Sequence, residues 1–333
     1  MSKNNIKDID SAVYHKVDDL FEVIGTSEEE IEKLHAAPYS YWRETIKQLF
    51  RKPLVIICLA MIVILVALAI IGPIVSPYSI IFNEAKGQDI DVFDYNLPWS
   101  AEHWFGTGGS QGGYFKGLDL WTCVWVGTRL SLVLGTVVAL IDTILGILIG
   151  SIWGYFRKID PIMIEIRNFV NNIPSILLYF LLMQFLSPSF WTIVLVLCMF
   201  GWLGLAGFIR NQIIIIRNRE YNVASLTLGS SPRAMITHNL LPYLVSVIVT
   251  VVSTAIPAAI SSEVGLAFFG LSFNPVNGDI TLGQLLTDVT SKGEWLDHPN
   301  LLVVPLIVMI PLTISFYYVG LALADATDPK NHR

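Results

Sequence analysis

Charged side chains are scarce in this sequence, and their scarcity excludes the usual soluble protein classes. Asp, Glu, Lys and Arg make up 14% of the 333 residues, whereas 53% are hydrophobic. The mean hydropathy is +0.60. Soluble domains carry about 25% charged residues, so this balance predicts a chain that lies mostly in lipid. The net charge of −6 excludes little, because the placement of Lys and Arg decides membrane orientation rather than their sum.

The residue patterns that carry catalysis or bind cofactors are also missing. The sequence contains no Gly-x4-Gly-Lys-Ser/Thr phosphate loop, no zinc-type His/Glu spacing and no nucleophile elbow. Cys58, Cys123 and Cys198 are far apart and are expected to be small buried hydrophobes. His103 and His298 are lone loop histidines, for which a solvated or hydrogen-bonded role is expected. We therefore expect no catalytic residue, metal or cofactor in this chain.

What the sequence does contain is a series of apolar runs long enough to cross a ~30 Å hydrocarbon core. They predict an all-α polytopic membrane protein with six transmembrane helices, at residues 54–71, 130–155, 162–186, 190–208, 240–260 and 301–323. Residues 1–52 are predicted to be a cytoplasmic tail that ends in an interfacial helix, from 39 onward, where aromatic and basic residues mix. Residues 53–333 are predicted to be the membrane domain.

The basic residues indicate the orientation of these spans. Six spans place both termini on one side of the membrane. The basic residues near the span ends fall on that same side, namely Arg43, Lys47, Arg51, Lys52, Arg157, Lys158, Arg210, Arg217, Arg219, Arg233, Lys330 and Arg333. By the positive-inside rule that side is the cytoplasm. The loops 73–127 and 272–300 are then external.

The interval 213–243 is the longest polar break between apolar segments in the C-terminal half. Residues 220–228 contain no Gly or Pro and predict a short helix, with Gly229 in a left-handed conformation at its end. Ser230-Ser231-Pro232 then supplies an N-cap serine and a Pro at the first helical position. This helix, turn and helix predict a docking element for a cytoplasmic partner; the alternative is an ordinary amphipathic loop.

The same interval resembles the EAA loop of ABC importer permeases, whose pattern is E-A-A-x3-G-x9-I-x-L-P. Four residues match at the correct spacing: Ala224, Gly229, Leu241 and Pro242. Val223, Ser225 and Asn239 stand where the pattern has Glu, Ala and Ile, although Glu220 is close by. In this family the loop is a coupling helix that sits in a groove of the ATP-hydrolysing subunit. The resemblance implies the coupling residues Glu220, Tyr221, Val223, Ala224, Ser225, Gly229, Ser230, Leu241 and Pro242.

Further stretches are similar to the oligopeptide and dipeptide branch of that family, in its OppC/DppC-type member. They are EHWFGT at 102–107, GLDL at 117–120, GTRLSL at 127–132, IPAAI at 256–260 and LAFFGL at 266–271. The resemblance runs from about residue 40 to the end. It singles out four residues on the external side, His103, Gly106, Asp119 and Glu263. For Glu263 we expect that it orders an external re-entrant piece rather than contacting substrate.

The resemblance implies the setting in which the chain works. That setting is a bacterial cytoplasmic membrane, a second homologous permease subunit in a heterodimer, and two ABC ATPase subunits that bind ATP and Mg. It also includes an extracytoplasmic peptide-binding protein, a peptide substrate and surrounding lipid, but no nucleic acid. Nickel or another small solute is the alternative cargo. A membrane-embedded enzyme would need a catalytic dyad, for which only Asp142 is a candidate, and a scaffold or receptor would not need so elaborate a docking turn.

Polar residues inside the predicted spans are informative, because a charge in lipid costs at least a few kcal/mol. Asp142 is either a carboxylate on the translocation path or one hydrogen-bonded to a neighbouring helix, and the second interpretation is preferred. Glu165, Asn168 and Asn172 share one helix face, which must contact a partner subunit or the path. Gly146, Gly150 and Gly154 predict a close-packing stripe.

The predicted orientation can be tested by cysteine labelling. In a background without native cysteines, Gly113→Cys and Lys292→Cys should react with a membrane-impermeant maleimide added to intact cells. Ser231→Cys should react only after the membrane is opened. Labelling at position 231 in intact cells would overturn the topology.

Overall fold

The computed structural model describes residues 41–78, 80, 91–109, 115–187, 189–272 and 280–327. The acidic part of the tail, the centre of the glycine-rich stretch after residue 107 and the closing Asp328-Pro329 lie outside these residues. The chain divides into two units, Met1–Tyr41 and Trp42–Arg333, and the following account concerns the second. The predicted boundary at residue 52 stays a prediction.

Helices account for most of the described residues. They are α1 (Tyr41–Phe50), α2 (Pro53–Val75), α3 (Leu120–Tyr155), α4 (Asp160–Asn171), α5 (Ser175–Phe185), α6 (Phe190–Arg217), α7 (Glu220–Thr227), α8 (Val245–Ser253), α9 (Ala255–Phe268), α10 (Leu282–Lys292) and α11 (Asn300–Thr327). A helical turn at Pro232–Ala234, a π-helix at Met235–Leu240 and a 3-10 turn at Pro242–Leu244 connect α7 to α8. A second 3-10 turn, Glu294–Leu296, precedes α11. Within the described ranges, the β pairing is limited to an isolated bridge between Thr107 and Asp119.

Four helices, α2, α3, α6 and α11, are long and apolar enough to cross a membrane. They confirm the first, second, fourth and sixth predicted spans. The third predicted span is broken, because α4 and α5 meet at an angle of 86°. Pro174 stands at that break and is the N-cap of α5; it disfavours a helical conformation in the residue before it. The fifth region is two short helices, α8 and α9, which meet at Thr254.

Several predicted boundaries were wrong. Helix α2 continues through Pro73 to Val75 rather than ending at Ile71. Helix α3 begins at Leu120, not at 130, because the Asp119 side chain caps it and the first turns are buried by protein. Helix α6 continues to Arg217 and therefore includes the start of the predicted loop 213–243. The predicted loop 272–300 contains α10, whose Thr281 and Gln284 form a capping box that sequence analysis missed.

The predicted glycine stripe packs α3 directly against α6. A β-carbon at Gly150 would lie 2.6 Å from the backbone oxygen of Ala206, and one at Gly154 would lie 2.9 Å from Ile213. A β-carbon at Gly146 would lie 2.7 Å from Leu205. Going from Gly146 to Gly154 along α3, the residue contacted on α6 moves from Leu205 to Ile213. The two helices therefore run parallel.

Polar contacts define two ends of the bundle. At one end Trp121 Nε1 donates to the Gly72 oxygen over 3.0 Å, and Asn300 Nδ2 donates to the Phe105 oxygen over 3.4 Å. At the other end Lys52 pairs with Asp325 at 3.0 Å. The start of α2 and the end of α11 are therefore at the same end.

The C-terminal end of α3 is hydrogen-bonded to the neighbouring helices. Arg217 Nη1 donates to the Tyr155 oxygen over 2.7 Å, which caps the end of α3 with a side chain of α6. Arg210 holds Asp160 with two hydrogen bonds, Nε to Oδ1 at 2.7 Å and Nη2 to Oδ2 at 2.6 Å. Trp153 Nε1 also donates to Asp160 Oδ1 over 2.8 Å. These contacts join the ends of α3 and α6 to the start of α4.

The α3–α6 contact predicts a contrast between two glycines. Gly150→Ala should destabilise the purified subunit by about 1–3 kcal/mol, because the added methyl overpacks the interface. Gly204→Ala, on α6 with no heavy atom within 4 Å of its β-carbon position, should leave stability unchanged or slightly raised. The measurement is thermal unfolding in detergent. Equal unfolding temperatures for the two variants would contradict the close contact.

Candidate coupling loop and membrane cavity

The predicted coupling loop is built as a direct extension of α6. Helix α6 ends at Arg217, and α7 begins only three residues later at Glu220. Asn222, on the first turn of α7, is fully buried, and its Nδ2 donates to the Ile216 oxygen over 2.9 Å. The Arg219 N–H donates to the same oxygen over 3.0 Å, so the Asn222 amide adds a second bond at the turn that joins α7 to the end of α6.

Gly229 ends α7 as predicted. Its φ is +87°, in the left-handed region. The Ser230 N–H donates to the Ser225 oxygen over 3.2 Å and the Gly229 N–H to the Leu226 oxygen over 3.0 Å, which is a Schellman motif. The predicted restart is also confirmed, since the Ser231 side chain accepts from the Ala234 N–H and Pro232 occupies the first helical position.

A hydrogen-bonded network joins the two arms of the loop across this turn. Asn239 Nδ2 donates to Asn222 Oδ1 at 3.3 Å and to Ser225 Oγ at 3.2 Å. Ser225 Oγ in turn lies 2.9 Å from Ser230 Oγ. Sequence analysis missed Asn222 altogether, but it had marked Ser225 and Asn239 as departures from the family pattern. The structure places those two departures in contact with each other.

An apolar cluster supports the loop from beneath. Ile213 and Ile216 of α6 pack with Met235, Leu240 and Leu244 of the returning arm, and all are buried. The guanidinium of Arg219 lies 5.0 Å from the centroid of the Tyr243 ring. These contacts hold the returning arm against α6.

The outer surface of α7 is exposed and partly apolar. Leu228 is 87% exposed, and Tyr221, Val223 and Leu226 are also exposed. Among the other predicted coupling residues, Glu220, Ala224, Gly229 and Pro242 are exposed, whereas Ser225, Ser230 and Leu241 are half-buried. The loop therefore presents a small apolar surface on a rigid support.

A cavity of about 290 Å³ lies inside the bundle, lined by residues of α3, α5, α6, α8 and α9 together with Thr254. Its polar lining residues are Asp142, Thr143, Tyr179, Thr254 and Ser262. Asp142 Oδ1 has no hydrogen-bond partner among the described residues, and the carboxylate lies against Gly201 of α6. The Cys198 thiol of α6 hydrogen-bonds to this carboxylate, so the preferred interpretation, a carboxylate bonded to a neighbouring helix, stays a prediction, with Oδ1 as the oxygen that has no partner among the described residues.

The other predicted pathway residues do not line this cavity. Glu165 and Asn168 lie on α4 and Asn172 is its C-cap residue. All three side chains are exposed in this chain. They form a polar face on a helix of a membrane protein, and such a face needs water or another protein surface beside it.

The predicted external residues form a second polar centre. His103 Nδ1 lies 3.0 Å from Asp119 Oδ1, and both side chains are buried. The other carboxylate oxygen, Asp119 Oδ2, accepts from the Thr122 N–H and caps α3. Gly106 has φ +83°, and a β-carbon there would collide with the Leu97 oxygen. The matched motif residues thus build the loop that leads into α3, with His103 hydrogen-bonded as expected.

Glu263 lies where α9 meets α3 and α10. It is 1% exposed, and its Oε2 accepts from Ser131 Oγ over 3.3 Å. Ser131 Oγ also accepts from the Leu282 N–H over 3.1 Å. The carboxylate therefore faces the positive N-terminal end of α10, in a position that orders this segment. It is not among the residues that line the cavity.

Two parts of the chain match known protein families. Residues 146–333 match the family described as the binding-protein-dependent transport system inner membrane component. Residues 40–98 match the N-terminal TM domain of oligopeptide transport permease C.

Curated proteins are similar over most of the chain. The oligopeptide transport system permease protein AmiD of Streptococcus pneumoniae is 35% identical over 91% of this chain and 94% of its own length. The dipeptide transport system permease protein DppC of Bacillus subtilis is 34% identical over 88% of this chain and 87% of its own. The oligopeptide transport system permease protein OppC of Bacillus subtilis is 28% identical over 93% of this chain and 97% of its own length.

The buried network of the loop predicts a specific loss of order. Asn222→Ala removes the bond to the Ile216 oxygen and one bond to Asn239, and it should cost about 1–3 kcal/mol. Hydrogen exchange of residues 218–230 should become faster, because α7 is then less firmly held to α6. The control is Thr227→Ala, an exposed position whose hydroxyl bonds only within its own helical turn. Exchange as slow in Asn222→Ala as in the control would refute this role of Asn222.

Proposed function

Because the chain belongs to the family of binding-protein-dependent transport system inner membrane components, we propose that it is a permease subunit of an ATP-driven peptide importer. Its relatives named above are permeases of oligopeptide and dipeptide transport systems. The observation that carries the proposal is the cytoplasmic loop, whose exposed apolar helix stands on a rigid base. Such a surface fits docking of a separate ATPase subunit.

Coupling in this proposal runs through a short mechanical connection. Movement of the ATPase surface would be transmitted by α7 to the end of α6, because Asn222 bonds the two. From α6 it would reach α3 through Arg217 and the glycine contact, and α4 through the Arg210–Asp160 pair. The loop therefore moves as part of the bundle rather than as a free connection.

Six membrane crossings are part of the proposal. Since α3 and α6 run parallel and end together, the segment between them, α4 and α5, must return across the membrane. Helix α11 begins at the opposite end from Arg217, near Phe105, so α8 and α9 must form another crossing. Both are broken crossings, which a membrane protein tolerates where the chain faces protein or water.

The remaining partners follow from the same proposal. The exposed polar face of α4, with Glu165, Asn168 and Asn172, faces a second homologous permease or the path between the two subunits. An extracytoplasmic peptide-binding protein delivers peptide to the external loops. Nickel as the alternative cargo has no particular support, because the described residues contain no group of three His, Cys, Asp or Glu side chains placed to hold a metal ion.

The coupling role predicts the effect of Gly229→Asp. The φ of +87° makes a β-carbon cost roughly 1–2 kcal/mol, but no heavy atom of this chain lies within 4 Å of it. The subunit should therefore still insert, whereas a charged side chain would enter the docking surface. Peptide uptake and co-purification of the ATPase subunits should both fall at least ten-fold.

The matched control is Gly293→Asp. Gly293 also has a positive φ, +75°, with no heavy atom within 4 Å of its β-carbon position, but it follows α10 at the other end of the bundle. Its backbone cost is similar, and ATPase co-purification should remain normal. Normal uptake by Gly229→Asp at normal subunit content would refute the coupling role.

A further inference from the structure

The cavity beside Asp142 combines three properties that rarely occur together inside a membrane bundle. It is a partly open cavity lined by helices of one chain, it contains a carboxylate, and one oxygen of that carboxylate lacks a hydrogen-bond partner among the described residues, although the Cys198 thiol bonds to the carboxylate group. An unpaired polar oxygen in a buried site costs free energy that a ligand can recover. The carboxylate therefore marks the place where a hydrogen-bond donor is missing.

The hydroxyl groups around the cavity show which kind of donor would fit. Thr254 Oγ1 donates to the Val251 oxygen over 3.0 Å, and Ser262 Oγ donates to the Ala258 oxygen over 3.0 Å. Each hydroxyl has thereby used its single hydrogen, and its lone pairs remain as acceptors. Together with Asp142 these hydroxyls offer several acceptors beside those of Thr143 and Tyr179, and the described lining residues include no Lys, Arg or His. A group that brings several N–H donors and a positive charge matches this lining.

The volume of the cavity limits the size of the ligand group that it can hold. At about 290 Å³ it lies at the lower end of ligand pockets, which span about 300–1,000 Å³. Its other walls are small or aliphatic side chains, among them Val138, Ala139, Ala258 and Ala259. This combination suits a compact ammonium group with a short apolar neighbour, as at the N-terminus of a peptide.

We propose that this cavity binds the free α-ammonium group of a transported peptide, with Asp142 as its counter-charge and the hydroxyls of Thr254 and Ser262 as further acceptors. The inference rests on the proposed function and adds a substrate determinant to it. A peptide whose N-terminus is acetylated presents no charge and only one N–H, so it should bind here much more weakly. The C-terminal end of a peptide would be repelled by the same carboxylate.

The test uses the complete transporter, this chain with its permease and ATPase partners, reconstituted in vesicles without the binding protein. The ligands are radiolabelled trialanine and N-acetyl-trialanine. Wild type should bind trialanine about ten-fold more tightly than N-acetyl-trialanine, or more. A factor of about ten corresponds to the free energy of one hydrogen bond to a charged group. Asp142→Asn should abolish this preference, and Asp142→Glu should retain most of it. Glu44→Gln, which removes a carboxylate on α1 away from the cavity, should behave as wild type.

Three results would overturn the ammonium site. They are equal binding of the two peptides by wild type, a preference that survives Asp142→Asn, and loss of partner subunits from the Asp142→Asn complex. The last result would mean that Asp142 pairs with a cation of a neighbouring subunit. Uptake of trialanine by wild type in the presence of the binding protein is measured in parallel. Absence of that uptake refutes the peptide importer itself, whereas uptake without amine preference refutes only the site.

Discussion

The close contact between α3 and α6 is the constraint on which the rest of this structure depends. Three glycines at a spacing of four residues let two parallel helices approach until the β-carbon of an alanine would collide with the facing backbone. Parallel neighbours in a membrane require that the chain between them return to the starting side. In the proposed topology the contact therefore requires a crossing by the connecting segment, even though that segment, α4 and α5, is not one straight helix. It also places the end of α6 beside the end of α3, where the cytoplasmic loop is anchored.

Features that are encoded within a few consecutive residues could be predicted from the sequence, whereas features that depend on contacts between distant residues could not. Hydropathy located the four straight spans, and capping rules located Gly229 and Ser231, since both signals lie within a few consecutive residues. Hydropathy does not report direction, so it joined α4 to α5 across a bend of 86°. Hydropathy also does not distinguish burial in protein from burial in lipid. The first turns of α3 are covered by protein, and the predicted start of this helix was therefore too late. Each of these errors concerns what a residue packs against.

The polar contacts of the candidate site show the same division. Asp142 was recognisable because a carboxylate in an apolar run is conspicuous, but its surroundings, with one oxygen that has no partner among the described residues, are set by helices distant in sequence. Asn222 gave no signal, because an asparagine in a polar loop is ordinary until the loop folds over it. The pair formed by Arg210 and Asp160 was missed for a similar reason, since the partners are fifty residues apart. Ser225 and Asn239 were visible only as mismatches to a family pattern. In the folded loop these two side chains are hydrogen-bonded to each other.

The length of α3 has a geometric consequence. Its 36 residues make a rod of about 54 Å, nearly twice the thickness of the ~30 Å hydrocarbon core. One end is held by Arg217 beside the predicted coupling loop, and the other is capped by Asp119. In the proposed transporter, this rod would act as a lever between its two ends. A tilt of about 10° displaces one end relative to the other by about 9 Å, given that length. A movement at one aqueous face would thereby reach the other through a single helix, without any change in its internal hydrogen bonds.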